Sequence, residues 1–227
     1  MKTFNISILE VMRVETGKKG FLTALPKSVA FQPGQFFAAS REEPSPLPAV
    51  LYPHTISPNG CLFLTDDVIP WLVGEQVALR GPLGRGFSPP QNTARVALVA
   101  MSDQTTHLHL LMSTCLHNGA ALVLCSDRLP PDLPPQVELL PLAQLPEAGA
   151  WADYLAVDCP PQRLPRLLRT ARDERVFASR PVQVLVRRVM PCAGLGACGV
   201  CAQKTRRGYA LACQDGPVFD LAQLEVE

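Results

Sequence analysis

Cys192, Cys198, Cys201 and Cys213 crowd the C-terminal end of a 227-residue chain, in the segment PCAGLGACGVCAQKTRRGYALACQDGPVF. Four thiols converge only where the backbone bends tightly. Gly194, Gly196 and Gly199 supply positive-φ options, while Ala193, Ala197 and Ala202 leave room beside the sulfurs for inorganic sulfide. The spacing is one CxxC pair, a third cysteine six positions before it and a fourth standing alone. Zinc ribbons present two CxxC pairs on separate knuckles, whereas a plant-type C-x4-C-x2-C run with a distant fourth cysteine wraps a [2Fe-2S] cluster. The pattern predicts a [2Fe-2S] centre held by these four cysteines and leaves a zinc-stabilised interaction module as its rival. Between Cys201 and Cys213, AQKTRRGYALA alternates about Arg206-Arg207-Gly208, the signature of a hairpin that returns the fourth sulfur to the other three.

The other four cysteines, Cys61, Cys115, Cys125 and Cys159, sit singly among apolar residues and read as packing groups. A chain that is 47% hydrophobic can fill real cores without disulfide staples, so reduced thiols are expected. Net charge is +1, with 21 basic and 20 acidic residues, which gives no field to attract nucleic acid. Glu10, Arg13 and Glu15 interrupt any signal-peptide core, and no run is long and apolar enough for a membrane helix. A cytoplasmic protein without membrane insertion is expected.

Along the chain the texture changes twice. Residues 1–91 alternate short apolar runs with the turn signals Pro33-Gly34, Pro58-Asn59-Gly60 and Gly81-Pro82, which predicts an antiparallel β-barrel. In that stretch REEPSPLPAVLYP carries four prolines and reads as a loop or an edge. Residues 92–182 begin with ARVALVAMS, a run fit for a buried parallel strand, followed by a helical DQTTHLHLLMSTCLHNG and a second strand in AALVLCSD. This predicts an abbreviated α/β domain with a parallel sheet. Residues 183–227 form a small cluster-binding domain, so the whole is a multidomain α+β chain.

The stretch MPCAGLGACGVC followed by CQDGPVFDLAQL resembles the cluster domain of the dihydroorotate dehydrogenase electron-transfer subunits, and Asp215-Gly216-Pro217-Val218-Phe219 is its most distinctive part. The loop between the first two cysteines is one residue longer here than in that family. The resemblance extends to Gln32-Pro33-Gly34-Gln35-Phe36 and to Gly81-Pro82-Leu83-Gly84-Arg85-Gly86-Phe87. It implies a ferredoxin reductase-type FAD-binding barrel, a nucleotide-binding-like middle domain and a [2Fe-2S] domain. It also implies a hetero-oligomer with a flavin-containing dehydrogenase catalytic subunit, in which this chain transfers electrons rather than acting as a stand-alone catalyst.

Two family elements are altered. The flavin strand, Arg-Pro-x-Ser in the family, is matched here by Tyr52, Pro53, His54, Thr55 and Ile56. Of these, Tyr52, Pro53, Thr55 and Ile56 are the candidate FAD contacts, although tyrosine lacks the charged fork that grips a pyrophosphate. Asp66 and Asp67 replace a glycine-rich phosphate turn and would repel a diphosphate. Whether FAD is kept is therefore open. After the first strand of the middle domain, Ala100-Met101-Ser102-Asp103-Gln104 contains no glycine to admit a dinucleotide, which argues against NAD(P) and suggests Ser102 or Asp103 as a plain helix cap.

His107, His109 and His117 lack metal spacing and read as surface or packing groups, and Arg163, Arg166, Arg169, Arg172 and Arg175 read as a solvated helix face. The functional expectation is a flavin-linked electron-transfer protein, with a flavin-free docking scaffold or redox sensor as the alternative.

Overall fold

The structure is a computed structural model that describes residues 2–14, 18–26, 28–41, 47–67, 69–102, 104–173, 177 and 180–225. The expectations placed on Asp103, on Arg175 and on residues 42–46 lie outside the described residues. No helix among those described is long and apolar enough to cross a membrane.

Six antiparallel strands close into a barrel in the order β1-β2-β5-β4-β3-β6: β1 Lys2–Val14, β2 Lys18–Thr23, β3 Phe36–Ser40, β4 Ala49–Ser57, β5 Gly60–Thr65 and β6 Gln76–Leu83. Alternating side chains fill its interior with Ile6, Phe21, Phe37, Leu51, Phe63, Val77 and Leu79. The rings of Phe37 and Phe63 meet edge to face at 5.3 Å. The proline-rich segment is corrected here, because its second half, from Ala49, is β4, a strand hydrogen-bonded on both sides. Pro53 is tolerated because the β4–β5 register slips between Pro53 and Thr55, where a ladder donor is not required.

The second layer is a six-stranded sheet in the order β14-β11-β10-β7-β8-β9, comprising β7 Arg95–Ala100, β8 Ala121–Cys125, β9 Val137–Leu140, β10 Tyr154–Cys159, β11 Val182–Val186 and β14 Val218–Asp220. β7 to β11 run parallel, and β7, β8 and β10 are buried along almost their whole length, as their mainly apolar sequences require. Helices α1 His109–His117, α2 Leu145–Trp151 and α3 Leu164–Asp173 make the crossovers. β14 comes from the far side of the cysteine loop and adds antiparallel to β11. A separate hairpin, β12 Ala202–Thr205 with β13 Gly208–Leu211, turns at Arg206-Arg207 as its sequence predicts.

One apolar core runs without a break from Phe36, Tyr52 and Leu83 on the barrel, through the parallel sheet, to Ala193, Cys201, Cys213 and Phe219 around the cysteine loop. Gln183 clamps the same seam. Its amide oxygen accepts from the Tyr154 hydroxyl (2.6 Å) and the Ser88 backbone N–H (2.8 Å), and its amide nitrogen donates to the Ser88 hydroxyl (2.9 Å) and to Asp220 (3.3 Å). Cluster lobe, sheet and barrel are therefore packed as one body.

Candidate functional site

From the end of β11 the chain runs through Arg187–Pro191 directly into Cys192. Between Ala193 and Gly199 the backbone enters the left-handed region at Ala193 (φ 40°), Gly194 (93°), Gly196 (71°) and Gly199 (68°), which folds the loop into a cup. Arg80 of β6 anchors the cup to the barrel by donating to the Ala193 carbonyl at 2.8 Å, and Gln214, within the lobe itself, donates to that of Gly194 at 2.5 Å.

The four thiols fall into two pairs. Cys192 stands beside Cys198 on the outside, where Cys198 is exposed. Cys201 stands beside Cys213 inside, both buried. Burial works to raise the Cys192 pKa, but backbone N–H groups of Ala197, Cys198 and Leu195, together with the Cys198 side chain, bring it down to about 6. Burial comes first in pushing Cys213 up to about 12, followed by its bond to Cys201, while the Gly196 N–H works the other way. Among the described residues, no group of three or more His, Cys, Asp or Glu closes around a single ion. Four neighbouring thiols, with backbone N–H groups bonded to Cys192 and Cys213, can supply two thiolates to each iron of a binuclear iron–sulfide core. The donor set fits a [2Fe-2S] cluster.

The motifs that carried the family resemblance meet behind this cup. Arg85 N–H bonds the Gly216 carbonyl, Phe87 N–H bonds Pro33 O at 2.7 Å and Val186 N–H bonds Pro217 O at 2.9 Å. A Cβ on Gly34 would stand 2.8 Å from Val218 and one on Gly84 would stand 2.4 Å from Gly216 O. PGQF, GPLGRGF and DGPVF are thus one knot that ties barrel, sheet and cysteine lobe together.

Beside the cup lies a cleft of about 710 Å³ between the barrel and Arg187–Pro191. The residues just before Cys192 therefore form its wall. Tyr52, Trp71, Ile69 and Met190 give it an aromatic and apolar lining, and Asp66, Asp67, Arg187 and Arg188 add charge. Of the four candidate FAD contacts only Tyr52 borders the cleft. Pro53 is buried in the barrel wall, Thr55 is half-buried and Ile56 is exposed, and none of these three lines it.

Asp67 accepts from Val50 N–H at 3.0 Å and Asp66 holds Lys18 Nζ at 2.6 Å, so these carboxylates already engage the donors nearest them. The cleft has the volume and lining for a flavin ring, but its barrel side carries two carboxylates and one cation, Arg41, which Glu75 already holds at 2.8 Å. Burial, then Asp66 and Asp158, push the Tyr52 hydroxyl above its ordinary range, so it stays protonated.

At the carboxyl edge of the sheet, where a dinucleotide lies in doubly wound folds, Arg187 fills the space. Its guanidinium donates to Ser102 Oγ (2.7 Å) and Gln104 Oε1 (3.4 Å) and stands 2.9 Å from buried Asp158. Ser102 is not the helix cap expected of it. The helical segment starts later, with a 3-10 turn at Thr106–Leu108 that has no side-chain cap, and Ser102 serves Arg187 instead. Neither Asp158 nor Arg187 was singled out in the sequence. Their only signals are a charged residue closing the apolar run YLAVDC and another closing VQVLV.

Of the three histidines of this segment, His117 is exposed, His109 is half-buried and His107 is packed inside. His107 is buried, meets Lys18 Nζ at 3.2 Å and stands edge-on to Tyr52 at 4.8 Å. His54 of the barrel bonds Thr106 O at 3.1 Å and stacks on His109 of α1 at 4.3 Å. Burial first, then His109, lowers the His54 pKa from 6.5 to about 4. Burial raises that of Asp158 from 3.8 to about 6 against the pull of Arg187.

The signs of these two shifts oppose. A base with a lowered folded pKa loses stability as pH falls below 6.5, by up to about 3 kcal/mol at pH 4, whereas a carboxyl with a raised folded pKa regains stability as pH falls below 6. His107, also held well below its ordinary value by burial and by Lys18, acts in the same sense as His54. The native melting temperature should therefore fall between pH 6.5 and 4. In Asp158→Asn, without the compensating carboxyl, it should fall more steeply, and in His54→Gln less. Equal slopes in thermal scans of all three would refute this account of the seam.

Residues 187–225 match the family model described as the iron-sulfur cluster binding domain of dihydroorotate dehydrogenase B. The whole chain is 28% identical over 240 residues to the probable dihydroorotate dehydrogenase B (NAD(+)) electron transfer subunit of Pyrococcus furiosus, covering 96% of this chain and 91% of that protein. The corresponding subunit of Clostridium acetobutylicum is 24% identical over 64% of this chain and 63% of its own length. Among solved structures, an NADH-dependent reduced ferredoxin-NADP oxidoreductase superposes with TM-score 0.74 at 18% identity, covering 97% of this chain and 89% of that one. A ferredoxin NADP+ reductase from Neisseria gonorrhoeae, solved with FAD and NADP, gives 0.54 at 13% identity, covering 77% and 92%. The fold is ferredoxin reductase-like, and it ends in an iron–sulfur cluster binding domain.

Proposed function

We propose that this chain, similar over almost its full length to dihydroorotate dehydrogenase B electron transfer subunits, is a one-electron carrier. In this reading Cys192, Cys198, Cys201 and Cys213 hold a [2Fe-2S] cluster that serves a flavin-containing dehydrogenase subunit in a cytoplasmic hetero-oligomer. The observation that carries it is the gathering of four thiols in a cup whose lead-in segment forms the wall of an aromatic cleft. When bound, the cluster supplies a single-electron couple.

The chain's own residues do the rest. N–H groups of Leu195, Ala197 and Cys198 stabilise the Cys192 thiolate, and Arg80 and Gln214 hold the cup. Leu195 and Val200, exposed on either side of Cys198, give an apolar rim for the dehydrogenase to cover. The division into residues 1–91, 92–182 and 183–227 belongs to this reading, with β14 of the third unit completing the sheet of the second.

With the carboxyl-edge crevice filled by Arg187, the chain exchanges electrons with proteins rather than with NAD(P) directly. A second reading, with FAD seated in the cleft, is favoured by its volume and by Tyr52. An anaerobic reductive titration separates the two. Cluster alone takes up one electron per chain, cluster with FAD takes up three, and flavin released by denaturation must agree. A chain that takes up none is not an electron carrier, and the redox-inert scaffold would then stand.

A further inference from the structure

Helix α3 and the 3-10 turn before it expose Arg163, Arg166, Arg169 and Arg172. At about 100° per residue, these four fall on the half of the helix opposite its buried Leu164, Leu167 and Leu168. An ordinary solvated helix face pairs its cations with acids three or four residues away. Here no acid stands in the first turn, the one acid of the helix is Asp173 at its end, four residues after Arg169, and none of the four arginine side chains has an ion-pair or hydrogen-bond partner among the described residues. The chain as a whole is nearly neutral, at +1, so the patch is a local concentration of charge rather than a general excess.

Its position bears on electron transfer. Arg163 is near enough to Cys159 to lower that thiol's pKa against the burial that raises it, and the Cys159 carbonyl accepts from Arg187 N–H at 3.3 Å. Arg187 begins the segment that leads from β11 into Cys192. The arginine row thus starts at the edge of the sheet that delivers the chain to the cysteine cup.

We propose that this face of α3 docks the acidic surface of a protein electron carrier, a partner distinct from the dehydrogenase that covers Leu195 and Val200. The inference rests on the electron-transfer reading for the partner's class, and on charge for its chemistry. Planar guanidinium forks on consecutive helical turns match clustered carboxylates, and long-range attraction steers their encounter.

The test measures binding of the full chain to an acidic plant-type ferredoxin by titration calorimetry, with both proteins oxidised so that no electron flow is needed. Arg166→Glu/Arg169→Glu reverses the patch, and Arg166→Gln/Arg169→Gln neutralises it. Both pairs are exposed, and circular dichroism verifies the fold. Expected are a wild-type affinity that falls steeply with added salt, a Kd raised about tenfold or more by the reversal, and an intermediate value for the glutamine pair.

Undetectable wild-type binding, binding indifferent to salt, or equal affinities in all three proteins would overturn the proposal. Binding of a DNA duplex that is lost in the variants, with ferredoxin binding unchanged, would assign the face to nucleic acid and overturn it as well. The visible spectrum of the same samples separates the two readings. Charge-dependent docking in protein without a cluster upholds the docking face and removes the electron-transfer reading. Indifferent binding in protein with an intact cluster does the reverse.

Discussion

Cys198→Ser should yield a folded but colourless protein, with iron and acid-labile sulfide reduced about tenfold or more and no electron flow to an artificial acceptor. The choice of residue makes the result readable. Cys198 is exposed, so a serine there removes a thiolate ligand without opening a hole in the core. Cys61→Ala is the matched control. That thiol is buried in the barrel and pushed up to about 12 by burial alone, so it is inert and packs as a small hydrophobe. Cys61→Ala should lower the melting temperature and leave iron content unchanged. If Cys198→Ser kept its cluster and passed electrons at the original rate, the ligand set would be wrong.

Gly84→Ala should be strongly destabilising. Gly84 has φ +70°, and a Cβ there would stand 2.4 Å from Gly216 O, 2.8 Å from Pro217 and 3.1 Å from Phe36. Two of these contacts are backbone or a proline ring and cannot swing aside. Left-handed strain and the clash together should cost about 3 kcal/mol or more, or roughly 6–12 °C in melting temperature for a chain of this size. Gly74→Ala isolates the strain, because Gly74 has φ +87° and nothing within 4 Å of its would-be Cβ. It should cost about 1 kcal/mol. Gly84→Ala should also release iron faster than wild type on exposure to a chelator, because Gly216 and Pro217 lead directly from Cys213. Equal melting temperatures for the two variants would show that the knot does not hold the lobes together.

The sequence made the local features legible and left the convergences hidden. Spacing and glycines announced a cysteine cup because its ligands lie within one short segment, and alternation announced the barrel because period-two patterning is local. β2 escaped notice because KKGFLT opens on two lysines and a glycine, yet Lys18 is buried against Asp66 and His107. α2 escaped because LPEAGAW carries both a proline and a glycine. Pro53 argued against a strand that the barrel nevertheless needs, since a register slip is invisible in one strand read alone.

Contacts between distant segments lie beyond any pattern in the chain. The knot of PGQF, GPLGRGF and DGPVF, the His54–His109 stack and the Arg187 bridge to Ser102 each join residues far apart in sequence. The same limit explains the FAD candidates. Adjacent residues on β4 point to opposite faces, so the run from Tyr52 to Ile56 could not all face one cleft, and only Tyr52 does.

The central claim is a binuclear cluster held by an outer and an inner pair of thiolates. Electron paramagnetic resonance of anaerobically purified protein, before and after dithionite, addresses it most directly when iron, sulfide and zinc are quantified on the same sample. The account predicts a silent oxidised form, a reduced form with one unpaired spin per chain, and iron and sulfide in equal amounts. A colourless, silent protein carrying one zinc per chain would contradict it.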